Sequence, residues 1–216
     1  MLGAAALLCA FWMAGAALPG STAAGEADRQ YGHPASAAPG PPAPLHTPVY
    51  RIPLRVHLAE SGRSHGEFRA ILEEINDIWL SQAGICFEMQ EVLDDRPAER
   101  GLDLWFLPVL PGGPDLNGSY RNDHDIRVRD TPVLNPAVHP ARHPAARTAA
   151  HELGHGLSLN HRQDSDDNLM RSKTFGWHLN AGEVDDARRT AAKKALPDTV
   201  PVRCGEPRIL LSLDQS

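Results

Sequence analysis

The stretch HELGHGLSLNH, residues 151–161, constrains this chain more than any other feature, because it contains three histidines and a glutamate at metal-site spacing. On an α-helix, residues four apart lie on one face about one turn from each other, so His151 and His155 present their rings to the same place. Glu152 follows the first histidine, so its carboxylate can lie beside a metal ion without being a ligand. HExxH also recurs by chance in unrelated proteins, so these positions alone do not establish a metal site.

The third histidine makes the pattern more specific. A straight helix would carry His161 about 9 Å along the axis and onto another face, so the chain must leave the helix after about Gly156 and double back. Glycine at position 158 would make this turn freely, whereas Ser158 in a left-handed conformation costs about 1–2 kcal/mol. Structural zinc sites contribute on the order of 10–16 kcal/mol, which exceeds this strain by a wide margin. The sequence therefore predicts a three-histidine site with a strained serine at the turn.

This stretch resembles the zinc signature of the metzincin metallopeptidases, HExxHxxGxxH, with Ser158 in the glycine position. The segment DDNLMRS, residues 166–172, resembles the Met-turn that follows that signature, and its short distance from His161 is similar to that of matrixins. The resemblance covers roughly residues 49–197, but only 151–170 are specific. It implies an α+β fold with a mixed, mostly parallel sheet, an active-site helix and a small C-terminal subdomain.

The resemblance also implies a function, that of a secreted zinc-dependent endopeptidase that hydrolyses peptide bonds with a metal-activated water. Carried over position by position, one catalytic Zn²⁺ would be bound by His151, His155 and His161. Glu152 would be the general base, and Met170 would form an apolar floor beneath the ligating rings. A protein or peptide substrate would lie extended along an edge strand near Ile126–Arg129, between an upper subdomain (about 49–157) and a lower one (about 158–216).

Two other interpretations stay open at this stage. In a zinc site of different architecture, the third ligand would be a downstream glutamate, and Glu183 is the nearest helical candidate. In a different class of protein, the chain would be a secreted zinc-binding protease homologue that acts as a binding module without hydrolysis. The intact Glu152 favours the enzyme over the binding module.

The amino-terminal part of the chain predicts export. Residues 1–24 are uncharged and largely apolar, which is typical of a signal peptide, and residues 25–48 form a linker rich in Pro and Ala. The folded domain is expected to span residues 49–216 and to be secreted or periplasmic, with no membrane attachment after cleavage. The formal net charge of −6 argues against a nucleic-acid partner, and we expect a monomer.

Of the three cysteines, Cys9 would leave with the signal peptide. Two cysteines in an exported chain usually pair, which predicts a disulfide between Cys86 and Cys204. The alternative comes from the segment VRCGEP, residues 202–207, which resembles the cysteine switch of matrixin propeptides. In that case the Cys204 thiolate would cap the zinc ion.

Hydrophobic periodicity predicts the elements of the first half of the domain. Residues 49–58 alternate as a strand, which Pro53 places toward an edge of the sheet. Ser64 and Glu67 form a capping box before a helix that ends at Gly84. Two further strands are predicted at residues 85–89 and 102–110, and this order suggests a mixed sheet packed on its first helix.

The second half is expected to begin with residues 111–124, which should be mostly loop, followed by a short edge strand at 125–129. Pro144 suits the first turn of the helix that carries the histidine motif. Asn180 and Glu183 form a second capping box, which opens a helix that Pro197 stops. The residues beyond this helix are expected to be extended.

Two weaker clusters remain in the sequence. His139 and His143, with His124 and Asp125, would make a second metal site, although such histidines are more often solvated loop residues. Ca²⁺ is a further candidate ligand, and its oxygen donors would be Asp115, Asn117, Asp123 and Asp125, whose spacing matches no EF-hand loop.

Overall fold

The structure, a computed structural model, describes residues 46–90, 100–133, 142–172, 176–196 and 204. The predicted signal peptide, the linker up to residue 45 and the extended tail beyond residue 196, apart from Cys204, lie outside these described residues. The described part of the chain contains three helices and a five-stranded sheet.

Strands and helices follow one another in an α+β arrangement. In chain order the elements are β1 (Tyr50–His57), α1 (His65–Ala83), β2 (Ile85–Gln90), β3 (Leu102–Leu107), β4 (Gly118–Asn122), β5 (Asp125–Arg129), α2 (Pro144–Gly156) and α3 (Ala181–Lys194). The strand order in the sheet is β2-β1-β3-β5-β4, and every pair is parallel except β4 with β5. The predicted α+β class with a mixed, mostly parallel sheet is therefore confirmed.

Helix α1 begins and ends where its sequence predicts. The Ser64 side chain accepts a hydrogen bond from the Glu67 N–H, and the Glu67 side chain accepts one from the Ser64 N–H, which is a complete capping box. Gly84 ends the helix in the left-handed region, with φ of 61°. The apolar stripe of α1 is buried in the core, with members Phe68, Ile71, Leu72, Ile75, Ile78 and Trp79. None of the three described helices is both long and apolar enough to span a membrane.

Strand β1 lies inside the sheet, so the prediction that Pro53 places it toward an edge is wrong. β1 pairs with β2 along Tyr50–Arg55 and with β3 only from Leu54 onward. The Pro53 carbonyl points toward Gly101, whose Cβ, if it had one, would lie 2.3 Å from that oxygen. The N–H and C=O of one residue point to the same side of a strand, so the ring nitrogen of Pro53, which carries no hydrogen, also faces the β3 side. Pro53 lies just before Leu54, where the pairing of β1 with β3 begins. The proline therefore interrupts no hydrogen bond of that ladder.

The predicted loop at 111–124 is wrong for residues 118–122, which form strand β4. β4 pairs antiparallel with β5, and the two strands are joined at a tight turn where Asn122 pairs with Asp125 and accepts the His124 N–H at 2.8 Å. No residue of β4 is buried, so the strand lacks the alternation of apolar residues that marks a half-buried strand. β4 is thus the edge of the sheet, and β5 is not the edge strand that the sequence predicted.

The disulfide between Cys86 and Cys204 is present. It joins residues 118 positions apart and ties Cys204 to strand β2, at the opposite edge of the sheet from β4. A sulfur atom in a disulfide is not available as a thiolate, so the disulfide and not the cysteine switch describes Cys204 in this structure.

Candidate metal centre

The histidine motif lies on α2, whose amino-terminal end is bound by α1. Glu74 is buried, and its two carboxylate oxygens accept the N–H groups of Arg142 at 3.0 Å and His143 at 2.7 Å. A carboxylate at this end also interacts favourably with the helix dipole. Further along, the Trp79 indole N–H donates to the Ala150 carbonyl at 3.2 Å. These contacts set the position of α2 relative to α1 immediately before the first motif histidine.

The chain reverses directly after α2, as the spacing of the histidines predicts. The Ser158 N–H donates to the His155 carbonyl at 2.9 Å, and the Leu159 N–H donates to the Gly154 carbonyl at 3.0 Å. This pair of bonds is a Schellman motif, which requires a left-handed residue after the helix cap. Ser158 has φ of 67° and is the one non-glycine residue with positive φ among the described residues. The serine therefore occupies the position where glycine would be free of strain.

The reversal brings the three histidines together. The Nε2 atom of His161 lies 3.1 Å from Nε2 of His155 and 3.2 Å from Nε2 of His151. Within the described residues, this trio is the one group of at least three His, Cys, Asp or Glu side chains whose ligand atoms all lie within 4.8 Å of one another. Three imidazole nitrogens that converge in this way could bind a metal ion.

Hydrogen bonds at the other ring nitrogen orient two of the rings. Nδ1 of His151 lies 2.7 Å from the Leu169 carbonyl, and Nδ1 of His155 lies 2.8 Å from the Leu159 carbonyl. Because a carbonyl can only accept, each Nδ1 carries the proton and leaves the Nε2 lone pair free for a metal. Burial lowers the pKa of His151 to about 3 and also lowers the pKa of His155, which favours the neutral, ligating form.

Glu152 lies beside the trio in a buried position, with an exposed fraction of 6%. Burial raises the pKa of its carboxyl to about 8. The side chain packs on Gly118 of β4, where an added Cβ would lie 2.3 Å from Glu152 Oε1. Gly118 is therefore required because the carboxylate approaches the backbone of the edge strand closely.

Met170 is fully buried and packs against α2 between the two helical histidines. A Cβ at Gly154 would lie 2.5 Å from the Met170 sulfur, so only glycine at position 154 leaves room for this side chain. The sequence singled out Met170, but it did not indicate that Gly154 makes space for it.

The trio and Glu152 line a cavity of about 420 Å³. Its remaining lining residues are Asp115, Leu116, Asn117, Gly118, Ser119, Tyr120, Thr148 and Ser172. The Tyr120 ring centroid lies 6.0 Å from that of His155. Sequence reasoning missed Gly118 and Tyr120 because it assigned residues 111–124 to a loop. The Asn122–Asp125 turn before the alternating residues of β5 was the signal that could have revealed the hairpin.

Glu183, the alternative third ligand, is not part of the trio. Its carboxylate accepts hydrogen bonds from the Asn180 N–H at 2.8 Å and from the Asn168 side-chain amide at 2.7 Å. The third member of the cluster is His161, as the three-histidine pattern of the sequence predicts.

The weaker clusters do not come together in the described residues. Nδ1 of His124 lies 2.7 Å from the Asp103 carboxylate, while His143 is the N-cap of α2, and His139 lies outside the described residues. Of the residues considered for calcium, Asp123 accepts hydrogen bonds from Tyr120 and Lys194, and Asp125 pairs with Arg127. The Asn117 side chain bonds both the N–H and the carbonyl of Val133.

Comparison of the chain with models of known protein families finds no match, and comparison with curated proteins finds none either. The geometry of the site and its own residues therefore carry the functional argument.

Proposed function

We propose that the protein is an exported zinc-dependent endopeptidase of the metzincin type. One observation carries this proposal, which is that His161 converges on His151 and His155 with Nε2 separations of 3.1 and 3.2 Å. Glu152 in the same cavity and Met170 against Gly154 agree with the roles that the metzincin resemblance implies.

The donor set fits zinc. With Zn–N distances of about 2.0–2.1 Å and tetrahedral angles, two ligand nitrogens lie about 3.3–3.4 Å apart, close to the separations seen here. Three protein ligands are typical of catalytic zinc sites, which keep one position open, whereas structural sites use four. When bound, zinc would lower the pKa of a coordinated water and polarise the carbonyl of the substrate.

Glu152 would act first as the general base and then as the general acid of the hydrolysis. Burial raises the pKa of the Glu152 carboxyl to about 8 in the metal-free site, and a zinc ion beside it would lower that pKa toward neutrality, where a carboxyl can both accept and donate a proton. Glu152 would accept a proton from the attacking water and then donate it to the leaving amine. The neutral rings of His151 and His155 would remain ligands throughout because their Nδ1 protons are held by backbone carbonyls.

An extended substrate would pair with β4 and not with Ile126–Arg129, because β5 is not an outer strand of the sheet. β4 is an outer strand of the sheet in the described part of the chain, and its Gly118 contacts Glu152 directly. An extended peptide that adds to an exposed edge gains main-chain hydrogen bonds without regard to its sequence. A substrate paired with β4 would pass alongside the histidine trio and the carboxylate.

The proposal is tested by metal analysis of the purified domain together with cleavage of a casein-type substrate. We expect about one zinc ion per chain, hydrolysis that a chelator blocks, and loss of zinc binding in His161→Ala.

In Glu152→Gln we expect zinc to be retained and hydrolysis to fall by at least about 10²-fold, because the general base is removed while the ligands remain. A chain that binds zinc but cleaves nothing would support the binding-module alternative. Undiminished turnover in Glu152→Gln would contradict the role of the glutamate.

A further inference from the structure

Two backbone carbonyls after the trio position two of its three histidines. The Leu169 carbonyl accepts the Nδ1 proton of His151 at 2.7 Å. The next carbonyl, of Met170, accepts the N–H of Arg162 at 2.9 Å, and Arg162 directly follows His161. A shift of the Leu169–Met170 backbone would therefore move the acceptor of one ligand and the chain beside another.

Asn168 fixes this backbone with its side chain, which is buried. Its Oδ1 accepts the Met170 N–H at 2.7 Å, and its Nδ2 donates to Glu183 Oε2 at 2.7 Å. Glu183 is buried as well, with an exposed fraction of 5%. The amide of Asn168 is thus held on one side by the Met170 backbone and on the other by a carboxylate of α3.

Glu183 differs from the matching glutamate of α1. Both residues occupy the third position of a capping box, and the same Glu183 oxygen that accepts from Asn168 also accepts the Asn180 N–H at 2.8 Å. Glu67 is exposed, and its hydrogen bonds go to Ser64, the cap residue of its own helix. A capping role alone explains Glu67 but leaves unexplained the hydrogen bond that the Asn168 amide donates to Glu183.

We propose that Glu183 is a positioning residue of the metal centre, acting through Asn168 on the Leu169–Met170 backbone and so on the His151 ring. The inference rests on the proposed function, because it assumes that the trio binds zinc. Partners that orient a ligating histidine typically change metal affinity by about 10–100-fold when they are removed. The buried carboxylate on α3 would therefore affect zinc binding although it contacts none of the three histidine rings.

The test compares Glu183→Ala with Glu67→Ala, which removes the same capping chemistry from α1. Zinc dissociation constants are measured by chelator competition at a temperature where both variants are folded, and the visible spectrum of the Co²⁺-substituted protein reports ligand geometry. We expect about 10–100-fold weaker zinc binding and an altered Co²⁺ spectrum for Glu183→Ala, and a wild-type affinity and spectrum for Glu67→Ala. Equal losses in both variants, or no loss in Glu183→Ala, would overturn the inference.

Asn168→Ala keeps the experiment decisive if Glu183→Ala does not fold, because the α3 capping box stays intact. We expect the same loss of affinity. Where both single variants fold, the double variant should lose little more than either of them, since the two side chains act in series. Wild-type zinc affinity in Asn168→Ala would overturn this inference but would leave the proposed function unaffected. A wild-type protein that binds no zinc would overturn the proposed function and this inference together.

Discussion

At the scale of single residues, the turn after α2 places Ser158 in a strained backbone conformation and brings His161 to the other two histidines. Ser158 has φ of 67°, a region that costs a non-glycine residue about 1–2 kcal/mol. Its hydroxyl oxygen accepts a hydrogen bond from the Thr190 hydroxyl of α3 at 3.0 Å. This bond offsets part of the strain, and it links the turn to the third helix.

Replacing Ser158 by glycine is expected to stabilise the metal-free protein by about 0.5–1 kcal/mol. The relief of left-handed strain should exceed the loss of one exposed hydroxyl bond and the added freedom of the unfolded chain. Urea denaturation of Ser158→Gly measures the change. Thr190→Val serves as the control, since it should destabilise the wild type slightly and have no effect in the glycine background. A less stable Ser158→Gly would show that the serine is not strained.

The trio could be predicted from the sequence because its three histidines lie within eleven residues: helix geometry relates His151 to His155, and a short reversal after the helix is enough to bring in His161. Its partners could not. The Leu169 carbonyl that orients His151 is a backbone group, which every residue carries, so no sequence pattern marks it. Gly118 lies more than thirty residues before Glu152, and only the folded sheet brings the two together.

At the scale of elements, a buried carboxylate joins strands β1 and β3 to the β4–β5 turn. Asp103 of β3 bonds Arg55 at 2.6 Å and His57 Nε2 at 3.0 Å, both on β1, and His124 Nδ1 at 2.7 Å in the turn. Burial acts to raise the pKa of Asp103, but the hydrogen bonds from these three side chains outweigh it and lower the pKa to about 2.

Because the folded pKa of Asp103 is below the usual value of 3.8, its contribution to stability is present above about pH 4 and is lost as the pH falls toward 2. We expect Asp103→Asn to lower the free energy of unfolding at pH 7 by on the order of 2–4 kcal/mol. Between pH 4 and 2 the free energy of unfolding of this variant should change less with pH than that of the wild type. Denaturation curves at several pH values measure this. Asp185→Asn, at an exposed site of α3, should change neither quantity. If the free energy of unfolding of Asp103→Asn fell between pH 4 and 2 as steeply as that of the wild type, the prediction would be contradicted.

The elements themselves were predicted with unequal success for a physical reason. The first residues of α1 and α3 follow from capping boxes, and Gly84 marks the end of α1; these are local signals that the tertiary structure preserves. The order of strands depends on long-range pairing, which Pro53 alone does not reveal. β4 escaped prediction because a solvent-facing edge strand requires no alternating apolar residues.

At the scale of the whole molecule, the sheet separates the candidate centre from the covalent link. The cavity is lined by β4 at one edge, and the disulfide is attached to β2 at the other. The strands between them are packed in one apolar core with α1 and α2. Stability and metal binding are therefore expected to respond separately to changes at the two edges.

Cys204→Ser is expected to lower the free energy of unfolding by about 2–5 kcal/mol, because the disulfide closes a loop of more than a hundred residues in the unfolded chain. Zinc affinity should stay at the wild-type value. Chemical denaturation and zinc titration measure the two effects, and reduction of the wild-type disulfide should reproduce the first. Weaker zinc binding by the folded variant would show that the two edges are coupled.

The left-handed serine has a consequence for how chains of this kind are recognised. A search expression that insists on glycine three positions past the second histidine rejects this chain, although its backbone is left-handed at that position. Here a serine occupies that position, and its hydroxyl is bonded to Thr190 of α3.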